Sequence, residues 1–305
     1  MTIALVSLSD AGARIVERLA GRLGSCDVFL HAAVLSKGTV PFSSNENRDS
    51  PPVIPAAVKA VPEARRFDRV VELTREIFAV YRGLVFVAPT GVVVRAIAPL
   101  VVHKTVDPAV VAVDVGGRWA VSLLSGHEGG GNDLALAVAN VLGAEPIIST
   151  TTEAAKDQIV GVGCRRGATA EAIVAAVVET LSAAGCELAR VRQLASVEIK
   201  ADEAGLIEAA RRLGLPLRLI ASDEIRATCY AFETSKLAQE KVDLPAVAEP
   251  AALLAGRRTR LLVPKRILHG VTVAVARENW SSLASAPEGP STGLSEPSGP
   301  SPKAG

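Results

Sequence analysis

Apolar and polar positions along this 305-residue chain repeat with a period of either two or about three and a half, and the two alternate. The opening stretch TIALVSLS is a short β-rich run, the pattern of a strand. DAGARIVERLAGRLG then sets Ile15, Leu19 and Leu23 at helical spacing, so a strand feeds a helix. CDVFLHAAVL (26–35) is a second apolar run, followed by a polar, proline-bearing loop over 36–56. FDRVVELTREIFAVYRG returns to the helical period, and LVFVAP (84–89) reads as a buried strand. PAVVAVD and RWAVSLLSG flank Val115-Gly116-Gly117, the pattern of a hairpin, and a helix over 132–142 precedes the strand PIIST. This alternation predicts an open, mostly parallel α/β sheet with one antiparallel excursion.

After the polar stretch TTEAAKDQ the rhythm restarts. IVGVGCRRGATAEAIVAAVVETLSAAG is a strand, a glycine turn and a long helix with Thr169 as its N-cap. Next come a strand or pair of strands, a helix from about Asp202 to Leu213 ended by Gly214, and the strand PLRLIA. TRLLVPKRILHGVTVAVA closes the unit as two strands around His269-Gly270. From Ser281 onward, 16 of the last 25 residues are Ser, Pro or Gly, a composition too poor in apolar side chains to offset the entropy of ordering. The expected organisation is an N-terminal α/β domain over 1–152, a C-terminal α/β domain over 158–278, with mostly parallel or mixed sheets, and a disordered tail over 279–305.

Composition narrows the function classes. With 49% hydrophobic residues both units can build cores. Lys plus Arg number 33 against 32 Asp plus Glu, so no global field draws in nucleic acid or an anionic membrane. The cysteines Cys26, Cys164, Cys186 and Cys229 lie far apart without a Cys-x-x-Cys pair, which fits neither a zinc ribbon nor a disulfide scaffold. The N-terminus lacks the pattern of a signal peptide, and no uncharged run reaches the roughly 18 residues that span a bilayer. A soluble protein of the cytoplasm is expected.

Two stretches carry candidate chemistry. In SGHEGGGND (125–133) three glycines precede Asn132, so the loop can present bare N–H groups and a helix N-terminus to a carboxylate or phosphate. His127 stands at the end of the preceding strand, placed by this reading at the sheet edge where α/β folds bind ligands, and imidazole exchanges protons near neutral pH. The alternative is a tight strand-to-helix turn that His127 merely caps. In GVGCRRG (161–167), Arg165 and Arg166 could clamp carboxylates, aided by the positive end of the following helix. Cys164 would either have a lowered pKa there or only pack. Lys200, Asp202 and Glu203 form a strand-to-helix corner in which Asp202 is a natural N-cap, and Lys265 reads as a solvated charge. Neither Gly-x-Gly-x-x-Gly nor a Walker motif is present.

The run APTGVVVRAIAPLVVHKTVDPAVVAVDVGGRWAVSLLSGHEGGGNDLA closely resembles the N-terminal half of the CbiG family, the cobalt-precorrin-5A hydrolases of anaerobic cobalamin biosynthesis. IVGVGCRRGATAEAI, KADEAGLIEAARRLGLPL, AVAEPAALL and LLVPKR with GVTVAVA resemble that family's C-terminal domain. The resemblance covers about residues 1–152 and 158–277, with the family's middle domain reduced to a few residues. Glu128 and Gly131 stand where the family has a bulky apolar residue and alanine, which argues against Glu128 as a general catalyst.

The resemblance implies hydrolysis of the substrate's δ-lactone and release of a two-carbon fragment as acetaldehyde, leaving cobalt-precorrin-5B. No cofactor is expected, because cobalt enters with the substrate, and no metal site. Expected partners are the cobalt-corrinoid and neighbouring enzymes of the pathway. His127 is the expected base or proton shuttle, with the amides of Gly129 to Gly131 and the side chain of Asn132 as oxyanion donors. Substrate-binding positions would be Thr90, Arg95, Gly126, Gly129, Gly130, Gly131, Arg165, Arg166 and Lys200. A corrinoid-binding carrier without catalysis is the rival class, although it would have no need of SGHEGGGND. A nucleotide-linked oxidoreductase would share the fold class but lacks its fingerprint.

Overall fold

The computed structural model describes residues 2–34, 64–228, 244 and 246–279. The polar loop expected over 36–56 and the tail beyond Asn279 lie outside the described residues. Two separate sheets form, one within residues 3–147 and one within residues 158–277. Both are α/β sheets with helices on their two faces.

In the first sheet β1 (Ile3–Ser7), β2 (Cys26–His31), β3 (Arg65–Phe67), β4 (Gly83–Val87), β5 (Ala109–Val113), β6 (Trp119–Leu124) and β7 (Glu145–Ile147) lie in the order β3-β2-β1-β4-β5-β6-β7. The strands β1 to β5 are mutually parallel, and all five residues of each of β1, β4 and β5 are buried. That two-sided burial is why they read as unbroken apolar runs. The helices α1 (Asp10–Ala20) and α4 (Gly131–Leu142) bury Val16, Leu19, Leu134 and Val138 with Leu5, Val85 and Val111. On the opposite face α2 (Val70–Ile77) and α3 (Thr90–Ile97) bury Leu73, Ile77, Val93 and Ile97 with Val6, Leu84 and Phe86. The strand β3 and the helix α3 add to the elements expected from periodicity; α3 is only eight residues long and mostly β-branched, so its pattern resembles a strand's.

The expected hairpin closes at Asp114, whose carboxylate accepts from the backbone N–H groups of Gly116, Arg118 and Trp119 at 3.1, 2.7 and 2.9 Å. It makes β6 antiparallel to β5, with Val113 opposite Ala120 and Val110 opposite Leu124. The C-terminal end of β6 therefore lies at the amino-terminal edge of the five parallel strands. The strand β7 pairs parallel to β6 and leads into the short helix α5 (Thr151–Ala154).

In the second sheet β8 (Gln158–Cys164), β9 (Val191–Val197), β10 (Leu217–Ile220), β11 (Arg260–Leu268) and β12 (Val271–Arg277) take the order β10-β9-β8-β12-β11. The first three are parallel, and β12 is antiparallel to β8 and β11. The helices α6 (Ala170–Ala183) and α7 (Ala204–Leu213) cover one face, and α8 (Ser222–Ala227) and α9 (Ala248–Leu254) the other. Thr169 caps α6, accepting from Ala172 N, and Gly214 ends α7 in the left-handed conformation, as expected. Asp202 is not the cap of α7. The helix starts two residues later, after Glu203, whose carboxylate is drawn across to another loop instead.

The two sheets meet where α4 lies against the edge strand β10. The Asn140 carboxamide donates to Leu217 O at 2.7 Å and accepts from Leu219 N at 3.0 Å, so one side chain completes the pairing of an edge strand. Buried Arg218 donates to Asn140 Oδ1 and to Ala144 O, and Arg257 forms a two-pronged ion pair with Glu145. Among the described residues no helix is long and apolar enough to cross a membrane.

Candidate functional site

The glycine loop joins β6 to α4 and folds back on itself. The carbonyl of Ser125 accepts from the amides of Gly129 (3.1 Å) and Gly131 (3.0 Å), and Gly126 O accepts from Asn132 N at 2.8 Å. These bonds leave no space for side chains. A Cβ on Gly126 would meet Asn132 Oδ1 at 2.7 Å, one on Gly131 would meet Leu124 O at 2.7 Å, and one on Gly129 would collide with Ser125 Cβ. Gly130 has φ +81°, a conformation natural to glycine. Each glycine thus has a steric reason apart from any ligand.

This geometry corrects the expected oxyanion donors. The amides of Gly129 and Gly131 are committed to Ser125, and only the Gly130 N–H has no acceptor among the described residues. The Asn132 carboxamide is committed too: Oδ1 accepts from Ser122 Oγ at 2.9 Å, and Nδ2 donates to Thr150 Oγ1 at 3.1 Å. Asn132 ties the loop to the residue preceding α5. His127 does not cap the turn. Its ring is exposed and makes no hydrogen bond among the described residues.

The placement of His127 needs a second correction. Because β6 runs against β1 to β5, His127 lies at their amino edge, opposite the carboxyl edge where parallel α/β sheets usually bind ligands. Thr90 begins α3 directly after β4 and lies at the carboxyl edge, so it is not beside His127. Arg95, exposed on α3, donates to Gly91 O within its own helix. Glu128 and Gly129, which follow His127, lie instead against the segments before β4 and β5. Lys104 pairs with Glu128 and holds its carboxyl below the usual range, while the buried Asp107 carboxylate accepts from Val102 N at 3.0 Å. A cleft of about 510 Å³ is lined by Tyr81, Arg82, Val102, Asp107, Glu128 and Gly129, among others. Sequence reading missed Lys104 and Asp107, whose sole signal was a charge in an apolar loop.

Ser125 was also missed as an individual residue. It is a non-glycine residue at φ +53°, buried to 7% exposure, with a hydroxyl lacking a hydrogen-bond partner among the described residues. Left-handed backbone costs an L-residue about 1–2 kcal/mol, and an unpaired buried hydroxyl adds to that. Ser125→Gly is accordingly expected to raise stability by about 1 kcal/mol after allowing for the greater entropy of unfolded glycine. A lower midpoint in thermal or denaturant melts would show that the Ser125 side chain holds the loop.

The second group of expected residues lies at the carboxyl edge of β8 and β9. Arg165 and Arg166 follow β8, exposed and without an ion pair among the described residues. Lys200 ends a short 3₁₀ turn after β9 and pairs with Glu203 at 3.4 Å, and the other Glu203 oxygen accepts from Gly167 N at 2.8 Å. Glu203 thereby binds the arginine loop to the start of α7. Burial pushes the Cys164 thiol up despite the nearby Lys200, so the lowered pKa considered from sequence is not found. The cysteine packs against the core. The expected residues therefore fall into three places: the amino edge of the first sheet (Gly126 to Asn132), its carboxyl side (Thr90, Arg95) and the carboxyl edge of the second sheet. Among the described residues no three His, Cys, Asp or Glu side chains gather as a metal-ligand group.

Comparison with known proteins accounts for both sheets. The family model described as cobalamin synthesis G N-terminal matches residues 72–153, and that described as cobalamin synthesis G C-terminus matches residues 158–276. The chain is similar to the cobalt-precorrin-5A hydrolase of Salmonella typhimurium, with 34% identity over 152 residues, 50% of this chain and 36% of that protein. Similarity to the enzyme of the same name from Priestia megaterium is 44% over 84 residues, 28% of this chain and 22% of that one. Protein CobE of Sinorhizobium sp is 32% identical over 128 residues, 41% of this chain and 83% of its own length. The chain thus spans about a third or less of each of these two hydrolases. With the N-terminal and C-terminal models of one family following each other along about two thirds of its length, the chain belongs to the cobalamin synthesis G (CbiG) family.

Proposed function

We propose that the protein is a cobalt-precorrin-5A hydrolase, opening the substrate's δ-lactone and releasing acetaldehyde to leave cobalt-precorrin-5B. The observation that carries the chemistry is the imidazole of His127, exposed and without a hydrogen bond among the described residues, three residues before the left-handed Gly130 that caps the start of α4. In this reading His127 takes a proton from water as its oxygen bonds to the lactone carbonyl carbon. The carbonyl oxygen becomes an oxyanion, held by the Gly130 N–H and the positive end of the 12-residue helix α4. Collapse breaks the ring C–O bond, and the departing alkoxide recovers the proton from His127. Loss of that hydroxyl proton then forms the aldehyde C=O while the carbon–carbon bond breaks. Its electron pair stays on the macrocycle, which takes up a proton.

Arg165, Arg166 and Lys200 are suited to the substrate's peripheral carboxylates as binding groups that take no part in bond breaking, whereas Thr90 and Arg95, at the opposite edge of the first sheet from His127, are not contacts in this proposal. Cobalt belongs to the substrate. The units over 1–152 and 158–278 would act together in the cytoplasm. Incubating the purified chain anaerobically with cobalt-precorrin-5A tests the proposal: acetaldehyde should appear in step with loss of substrate. Binding of the corrinoid with acetaldehyde no higher than in a protein-free control would overturn hydrolysis and leave a carrier.

A further inference from the structure

The cleft at the amino edge of the first sheet has an apolar wall that the hydrolytic steps do not use. Val80, in the turn between α2 and β4, is 69% exposed, and Val102 and Val106, in the segment between α3 and β5, are 81% and 74% exposed. Single exposed valines are ordinary, but three around one concavity, with Phe78 and Leu100 also lining it, form an apolar patch in contact with water. The cleft's size of about 510 Å³ falls within the ~300–1,000 Å³ of small-molecule sites. Its other wall is Glu128 and Gly129, which directly follow His127.

The charges around it are unequal in availability. Lys104 and Glu128 neutralise one another, and Asp107 is buried with its carboxylate turned to the Val102 amide. Arg82 is exposed and makes no ion pair among the described residues, which leaves one cation at the rim free to meet an anion. An occupant that matches this arrangement is broad and apolar along one edge, carries carboxylates on its periphery, and brings its reacting carbon to the His127 side.

We propose that this cleft takes one edge of the tetrapyrrole, its apolar ring carbons against Val80, Val102 and Val106 and one peripheral carboxylate on Arg82, so that the macrocycle docks at the amino edge of the first sheet. The proposal rests on the hydrolase reading for the identity of the ligand. It goes beyond that reading in assigning where the macrocycle lies. The volume suits an edge of the ring, and the remainder projects into solvent or toward other parts of the chain.

The test uses the full chain and cobyrinic acid, a stable cobalt corrinoid with free carboxylates, in equilibrium dialysis read by corrinoid absorbance. V80N/V106N removes apolar contact without adding charge, and both sites are exposed, so the thermal midpoint should stay at the parent value. The double variant should bind about tenfold or more weakly. R82A should weaken binding several-fold at low salt, with the difference shrinking as salt rises. Unchanged affinity in the double variant, or no binding by the parent, overturns the site. So does a parent dimer, seen by sedimentation, that V80N/V106N dissociates while corrinoid affinity is kept, because the patch would then be a face for a second copy. Acetaldehyde release, measured in parallel, separates the two readings. A parent that turns over while V80N/V106N keeps its KM refutes the cleft alone, whereas a parent that binds cobyrinic acid through the cleft but releases no acetaldehyde refutes hydrolysis alone.

Discussion

Replacing His127 by alanine is expected to lower acetaldehyde release by about 10²–10⁴-fold, the range for loss of a general base. Folding should be untouched, because the ring is exposed and has no hydrogen bond to lose among the described residues. Corrinoid affinity should change little, since the expected ligand contacts are apolar surface and arginines. The loss should appear in kcat with KM nearly constant, as for a group whose contribution arises only in the transition state. Near-parental turnover by His127→Ala would move the role of base elsewhere. The first alternative is Asp107, a buried carboxylate lining the cleft beside Glu128 and Gly129, with the Val102 amide as its one hydrogen-bond partner among the described residues.

Asn140→Ala should destabilise the protein by about 2–3 kcal/mol, a larger effect than a typical surface substitution. Three groups lose their partner at once: the carbonyl of Leu217, the amide of Leu219 and one arm of the Arg218 guanidinium. All sit where α4 covers the edge of the second sheet, and Arg218 is buried, so water cannot replace every bond. Asn140→Asp is the informative partner variant. It keeps an acceptor for Leu219 and Arg218 and forfeits only the donor to Leu217, so it should retain part of the stability. Denaturant melts measure both, and protease cleavage in the 140–158 region should become faster for the alanine variant. A change within 0.5 kcal/mol for Asn140→Ala would mean that the two sheets hold together without this contact.

The candidate loop was legible in part, for a definable reason. Three consecutive glycines after a strand and before an apolar helix announce an unusual backbone, and that backbone is present at residues 125–131. Its hydrogen bonding was not legible. Whether an amide faces a ligand or its own loop depends on where Ser125 O falls, and Ser125 adopts a left-handed φ that no rule of residue preference assigns to serine. The pairing of Glu203 with Gly167 was hidden differently. The two residues are 36 positions apart, and Glu203 looked like part of its own helix start.

From local pattern alone came the strand and helix rhythm, the hairpin at 114–118, the Thr169 cap, the Gly214 stop and membership of an α/β class. Each depends on residues within a few positions of one another, where side-chain period and backbone preference act directly. Tertiary structure decided the rest: that β6 reverses and carries His127 to the amino edge, that Thr90 is left at the carboxyl edge, and that Val80, Val102 and Val106 from two segments surround one cleft. These outcomes follow from strand order and direction within a sheet. A buried strand shows the same apolar run whichever way it points, so its direction is set by the partner it hydrogen-bonds and not by its own residues.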